Sequence, residues 1–244
     1  MKILLRKLHC YLYVASVGVT YALSFPLLYA LSRNPRNYKY VNMIRRVWAF
    51  VSSALVGIFY RVKYEKPIDW SRTYIICSNH TSNLDISAMT QLVKSNHHCF
   101  MGKEELLHNF ITRLFFKTVD IPVNRESKIS SYRAFKKASE ALSNGTSVII
   151  FPEGRIPDEY PPVLYDFKNG PFRLAIELKV PIIPVTSLNT WQILWDTGLE
   201  HGSKPGICNI FVHEPIETAQ LTLDDADALR DNVHAIIEQT LNRK

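Results

Sequence analysis

His80 and Asp85 stand five residues apart in Asn79-His80-Thr81-Ser82-Asn83-Leu84-Asp85. A carboxylate bonded to one ring nitrogen fixes the tautomer of an imidazole and leaves the other nitrogen free to take a proton. A polar turn before a helix brings the two groups within reach, because Asp85 would sit in the first helical turn and point back. A second cluster is Phe151-Pro152-Glu153-Gly154-Arg155. Glycine lets the backbone approach a ligand closely, and an arginine fork suits phosphate. Taken singly, each cluster has a plainer reading: a loop histidine that caps a helix, and an ordinary turn with a surface ion pair.

The elements around them are those that place reactive groups at a sheet edge. Thr73–Ser78 reads as a strand ending just before His80, and a helix over 84–94 follows with Leu84, Ala88 and Leu92 in register. Ser147–Phe151 is a β-branched run fit for a strand buried on both faces, and it runs straight into the second cluster. Strands are further expected at 61–65, 98–102, 121–123, 181–187 and 207–212. Helices are expected at 104–108, 110–117, 130–143, 171–179 and 223–241, the last with Asp224, Asp225 and Asp227 at its positive end. The alternation predicts an α/β fold: a mixed, mostly parallel sheet flanked by helices, with reactive residues at the carboxyl ends of strands. Pro157–Val163 is the longest irregular loop.

The two clusters in this order, separated by about 70 residues and followed by Val180-Pro181-Ile182-Ile183-Pro184-Val185, resemble the glycerolipid acyltransferase family, and within it the members that acylate lysophosphatidic acid. The resemblance covers roughly residues 70–190. It implies that His80 is a general base and Asp85 its orienting partner. It implies that Arg125, ending Ile121-Pro122-Val123-Asn124-Arg125, binds the phosphate of the acceptor. Glu153 and Gly154, with Arg155, would shape the acceptor loop, and Lys103 and Lys168 match basic positions frequent in the family. The expected reaction moves a fatty acyl group from acyl-CoA or acyl carrier protein to the sn-2 hydroxyl of a lysophospholipid, with no cofactor and no metal. Two departures bear on the acceptor: Arg155 follows Gly154 directly where the family has an intervening threonine, and Val119 stands where glycine is common. Another lysolipid acceptor, or a silent lipid-binding protein, are the competing readings.

Charge is unevenly placed. Residues 1–70 hold eleven Lys and Arg against two acids, a net +9, so residues 71–244 carry −2 of the chain's total of +7. Basic residues flanking apolar runs point to anionic lipid and away from nucleic acid. Leu8–Ser32 is uncharged for 25 residues, roughly 37 Å as a helix and enough to cross a bilayer core. The run is long for a signal peptide and no small-x-small cleavage site follows. Val47–Tyr60 is a second apolar stretch of 14 residues with aromatics at its ends, too short to span. These suggest an N-terminal membrane-embedded two-helix motif over 1–62, spanning or lying in one leaflet, and a catalytic domain over 63–244 on the cytoplasmic face.

Three other chemistries find little support. Cys77 lies inside an apolar strand, a poor place for a nucleophile. His97-His98-Cys99 puts neighbours on opposite strand faces, with no further ligand pair at a useful spacing. Nothing matches GxxxxGK[ST] or GxGxxG. Cys10, Cys77, Cys99 and Cys208 form no CxxC pair and fit a reducing compartment.

Overall fold

The computed structural model describes residues 2–124 and 126–243. Seven strands form one sheet in the order β1-β7-β6-β2-β5-β3-β4: β1 Ile58–Tyr64, β2 Ile75–Ser78, β3 His98–Lys103, β4 Ile121–Val123, β5 Ser147–Ile150, β6 Ile182–Ser187 and β7 Gly206–Val212. All neighbouring pairs are parallel except β6 with β7, so the expected mixed, mostly parallel sheet is present. The reversal lies on the β1-β7 side, leaving β2, β3, β4, β5 and β6 with their carboxyl ends along one edge.

Period-2 alternation builds two apolar layers around these strands. Ile75 and Cys77 of β2 join one core cluster with Val148, Ile150 and Ile182, while Tyr74 and Ile76 join another with Ile149, Ile183 and Val185. Helices α5 (Lys128–Ser143), α6 (Gly170–Leu178) and α8 (Ala226–Asn242) cover the first face. Helix α3 (Leu84–Leu92) covers the second with Ala88, Met89 and Leu92. Short helices α4 (Arg113–Lys117) and α7 (Thr190–Ile193) sit in the connections. The Ser127 side chain caps α5 by accepting from Ser130 N.

The N-terminal region differs from expectation in its second half. Helix α1 (Lys2–Ser32) is the long apolar helix foreseen, but helix α2 runs Tyr38–Ala54 and Val47–Tyr60 is not one element. Gly57, at φ +72°, breaks the chain after α2, and Ile58 onwards pairs with β7 as a sheet strand. A boundary at residue 62 therefore falls inside β1. The aromatics at the ends of that stretch do not all face outward: Trp48 stacks on Phe115 at 6.0 Å, and the Tyr60 hydroxyl bonds Ser53 Oγ at 2.8 Å. Phe50 and Phe59 stay exposed.

Helix α2 is amphipathic, and its polar stripe faces protein. Arg45 makes a two-pronged contact with Asp120, at 3.2 and 2.9 Å, with both side chains about 95% buried. Asp120 also accepts from Phe100 N, and the guanidinium lies 4.1 Å over the Phe115 ring. Asn42 donates to the carbonyls of Asn96 and His98, and Arg46 to those of Thr90 and Val93. Helix α1 is bolted down at its first turns. His9 bonds Val56 O and Ser203 Oγ, Ser203 N donates to Arg6 O, and a Cβ at Gly202 would collide with the Arg6 backbone.

Removing one partner of a buried ion pair strands the other charge, at a cost of about 3–5 kcal/mol. Arg45→Met is expected to lose that much in urea unfolding followed by tryptophan fluorescence, and Arg45→Met/Asp120→Leu to recover part of it. A single-variant loss under about 1 kcal/mol would show that this pair does not anchor α2.

Candidate active site

The carboxyl edge of the sheet gathers the site. His80 lies two residues past the end of β2 and Glu153 three past β5, with Ser187 closing β6; the three strands are neighbours. Asn79 pins the first turn to β6: its side chain donates to Ser187 O at 3.0 Å and accepts from Ser187 N at 2.7 Å. Asp196 clamps the same turn from outside, donating to Thr81 O and accepting from Asn83 N.

His80 Nδ1 is 3.2 Å from Asp85 Oδ2, so the pair expected from the sequence is assembled. Asp85 is the second residue of α3 and wholly buried, while the His80 side chain keeps 15% exposure. Oδ2 also accepts from Thr81 N at 2.7 Å and Ser82 N at 2.8 Å. Oδ1 accepts from Ser187 Oγ at 2.7 Å and Thr190 Oγ1 at 2.6 Å. Both oxygens of the buried carboxylate are thus satisfied by hydrogen-bond donors. The imidazole lies flat on Phe151, centroids 4.1 Å apart and planes 17° from parallel, which fixes its rotation about the Cβ–Cγ bond. With Nδ1 donating to Asp85, Nε2 is left as the acceptor.

Glu153 joins this constellation from the side. Its Oε1 accepts from His80 N at 2.7 Å and its Oε2 from Tyr165 N at 2.9 Å, so both oxygens hold backbone. Burial pushes the carboxyl up to about 7; the two N–H donors pull it down, and the Asp85 charge adds a smaller upward push. Gly154 follows at φ +85° and closes the turn by donating to Phe151 O, as only a residue free of Cβ does readily.

The other expected residues are more scattered. Lys103 ends β3, exposed, on the same edge. Lys168 is exposed, and its backbone N donates to Pro152 O beside the Glu153 turn. Arg155 turns into its own loop, pairing with Asp158 at 3.0 Å and lying over the Tyr165 ring. Arg125 lies outside the described residues. Among the described residues no hydrogen bond joins Lys103, Arg155 or Lys168 to the His80/Asp85 pair. The irregular loop is ordered by Tyr160, whose ring packs on Trp191, Trp195 and His201. Ser187, Thr190 and Phe151 carry contacts to the pair that the sequence did not disclose. The hydroxyls closing the apolar run of β6, Thr186 and Ser187, were the one hint. Cys77 is fully buried with its thiol pushed well up by desolvation, so it is no nucleophile.

A buried imidazole–carboxylate pair stands at the carboxyl edge of an open α/β sheet, braced by a second acid, where such folds place their sites. Residues 60–188 match the family model described as Acyltransferase, and the chain belongs to that family. It is 28% identical to 1-acyl-sn-glycerol-3-phosphate acyltransferase alpha of Mus musculus over 86% of this chain and 72% of that protein. The chloroplastic 1-acyl-sn-glycerol-3-phosphate acyltransferase LPAT1 of Arabidopsis thaliana is 27% identical over 94% of this chain, which spans 63% of that relative's length. Among solved structures, the 1-acyl-sn-glycerophosphate acyltransferase PlsC of Thermotoga maritima superposes with a TM-score of 0.76 at 23% identity, covering 98% of this chain and 95% of its own. That likeness establishes the fold.

The raised Glu153 carboxyl makes a pH prediction. A group at about 7 in the folded chain and an ordinary 4.5 unfolded favours the fold while neutral. Its contribution is complete below pH 4.5 and disappears as pH rises through 7, up to about 3 kcal/mol in all. The difference in unfolding free energy between the wild type and Glu153→Gln should shift by that order between pH 5 and 8. Parallel curves would mean that Glu153 titrates normally.

Proposed function

We propose that the protein transfers a fatty acyl group from an acyl thioester, acyl-CoA or acyl carrier protein, to the sn-2 hydroxyl of lysophosphatidic acid. The products are phosphatidic acid and the free thiol. The observation that carries this reading is the oriented imidazole: Nδ1 held by Asp85 at 3.2 Å and Nε2 with no hydrogen bond among the described residues, at a partly open sheet edge. The substrate class comes from the curated relatives, whose names assign them that acceptor.

The chemistry needs one proton moved twice. An alcohol is a poor nucleophile at neutral pH, so Nε2 of His80 takes its proton as oxygen attacks the thioester carbon. Asp85 stabilises the imidazolium that forms. When the tetrahedral intermediate collapses, the C–S bond breaks and the proton passes to the departing thiolate. A thioester is activated already, so neither a covalent enzyme intermediate nor a cofactor is needed. Glu153 acts here as a brace, since it holds the His80 backbone and the 155–165 loop rather than offering a free oxygen to lipid. Lys103, which ends β3, and Lys168, beside the Glu153 turn, would supply positive charge for the acceptor, and Arg125 keeps the phosphate-binding role that the family resemblance gives it.

Helix α1 supports a membrane role for the N-terminal region. It is long and apolar enough to cross a bilayer, and Leu4, Leu12, Leu23 and Leu27 are all more than half exposed. One stripe of it, Cys10, Tyr13, Tyr21, Leu28 and Ser32, is nonetheless buried against protein along most of its length. That favours a helix lying in one leaflet beside the catalytic body over one that crosses alone. The four cysteines are free and buried, which suits a body on the cytoplasmic face. An enzyme at the interface spares its acceptor extraction into water, which would cost about 0.8 kcal/mol per CH2.

Purified protein given mixed lysolipids and a labelled acyl thioester is expected to yield phosphatidic acid by mass spectrometry. His80→Ala should reduce the rate by about 10²–10⁴-fold. A different acylated lipid would reassign the acceptor, and turnover undiminished in His80→Ala would discard the mechanism. For the membrane face, Leu4→Glu/Leu12→Glu/Leu23→Glu should stay folded and lose sedimentation with anionic vesicles. Sedimentation at the wild-type level would place the contact elsewhere.

A further inference from the structure

The far oxygen of Asp85 draws on a part of the chain that the histidine motif does not contain. Oδ1 accepts from Ser187 Oγ at 2.7 Å and Thr190 Oγ1 at 2.6 Å; Ser187 ends β6 and Thr190 opens α7, more than 100 residues from Asp85 in sequence. Asp85, Ser187 and Thr190 are each 0% exposed, so water cannot stand in for either hydroxyl. Thr81 Oγ1 is 3.1 Å from Thr190 Oγ1, and Ser187 Oγ is 2.8 Å from it.

Counting protons orders the cluster. Each hydroxyl has one hydrogen to give. Thr190 gives its own to Asp85 and accepts from Thr81, so the chain runs Thr81 to Thr190 to Asp85 Oδ1. Ser187 gives its hydrogen to the same oxygen from the side. The Oδ2 side, meanwhile, takes Thr81 N, Ser82 N and the ring. Backbone donors on one oxygen still allow the carboxylate to swing about its Cβ–Cγ bond. Donors on the second oxygen, from another element, stop that rotation and hold Oδ2 in line with the imidazole.

We propose that Ser187 and Thr190 are positioning residues for the acyl-transfer reaction, acting on His80 through Asp85. The inference rests on the general-base reading above. The two hydroxyls do more than fill a buried acceptor. By drawing charge from Oδ1 they moderate the pull of Asp85 on the imidazole proton, so their loss leaves a more basic carboxylate and a ring that gives up its proton at higher pH. Neither side chain is placed to touch the acyl chain or the acceptor, so substrate affinity should be unaffected.

The test is steady-state kinetics on full-length Thr190→Val, Thr190→Ser and Ser187→Ala, with His80→Ala alongside and thermal melting to establish folding. Thr190→Val is expected to lower kcat about 10- to 100-fold with KM unchanged, the range seen when a group that orients a catalytic residue is removed. The acid limb of its pH profile should move to higher pH. Thr190→Ser restores the hydroxyl and should return kcat to within about threefold of wild type, where a requirement for the methyl group alone would leave it low. Ser187→Ala should fall in the same direction, and decides the matter if Thr190→Val does not fold. Wild-type kcat and an unmoved pH profile in Thr190→Val, or in Ser187→Ala in that event, would overturn the proposal. Full activity in His80→Ala would instead remove the general-base reading beneath it, so the two failures are distinct.

Discussion

A buried carboxylate is the constraint around which this molecule is arranged. Asp85 is fully enclosed and no lysine or arginine among the described residues pairs with it, so burial is offset by the hydrogen donors around both of its oxygens. Those donors come from the turn after β2, the end of β6 and the start of α7. The requirement couples three parts of the chain that must arrive together. Lose the register of β6 against β2, and Oδ1 of Asp85 is left buried without the hydroxyls that satisfy it.

The parallel sheet is what makes this arrangement possible. Strands β2, β5 and β6 end side by side, so the segments that leave them are neighbours although they lie far apart in sequence. His80, Glu153 and Ser187 are thereby delivered to one edge, and Asn79 locks the β2 and β6 ends by exchanging two bonds with the Ser187 backbone. Glu153 plays the matching part on the β5 side, with one oxygen on His80 N and the other on Tyr165 N. Two buried acids thus stand on either side of the histidine: one aims the ring, and the other holds the backbone that carries it.

The N-terminal helices belong to the same mechanical unit. Arg45 on α2 meets Asp120 just ahead of β4, and His9 on α1 meets Ser203 and Val56. These are polar, directional contacts, which fix orientation in a way that apolar packing alone does not. They hold the exposed apolar face of α1 in a fixed position beside the body of the chain.

Much of this was legible in the sequence. The alternation of short β-branched runs with amphipathic stretches set the α/β class, because periods of 2 and 3.6 are local properties of the chain. The spacing of His80 and Asp85 was readable for the same reason: a turn and one helical turn bring them together without help from elsewhere. The 25 uncharged residues ending at Ser32 likewise announced a helix by composition alone. What stayed hidden was everything that depends on which strand lies beside which. No local pattern tells that Ser187 and Thr190 bond Asp85, that Glu153 grips backbone, or that Ile58–Tyr64 leaves the apolar N-terminal run to pair with β7. Nor could Arg45 be told from a lipid-facing base until Asp120 was found beneath it. Local sequence sets the conformation of a segment, but partners across a sheet are chosen by the packing of the whole chain.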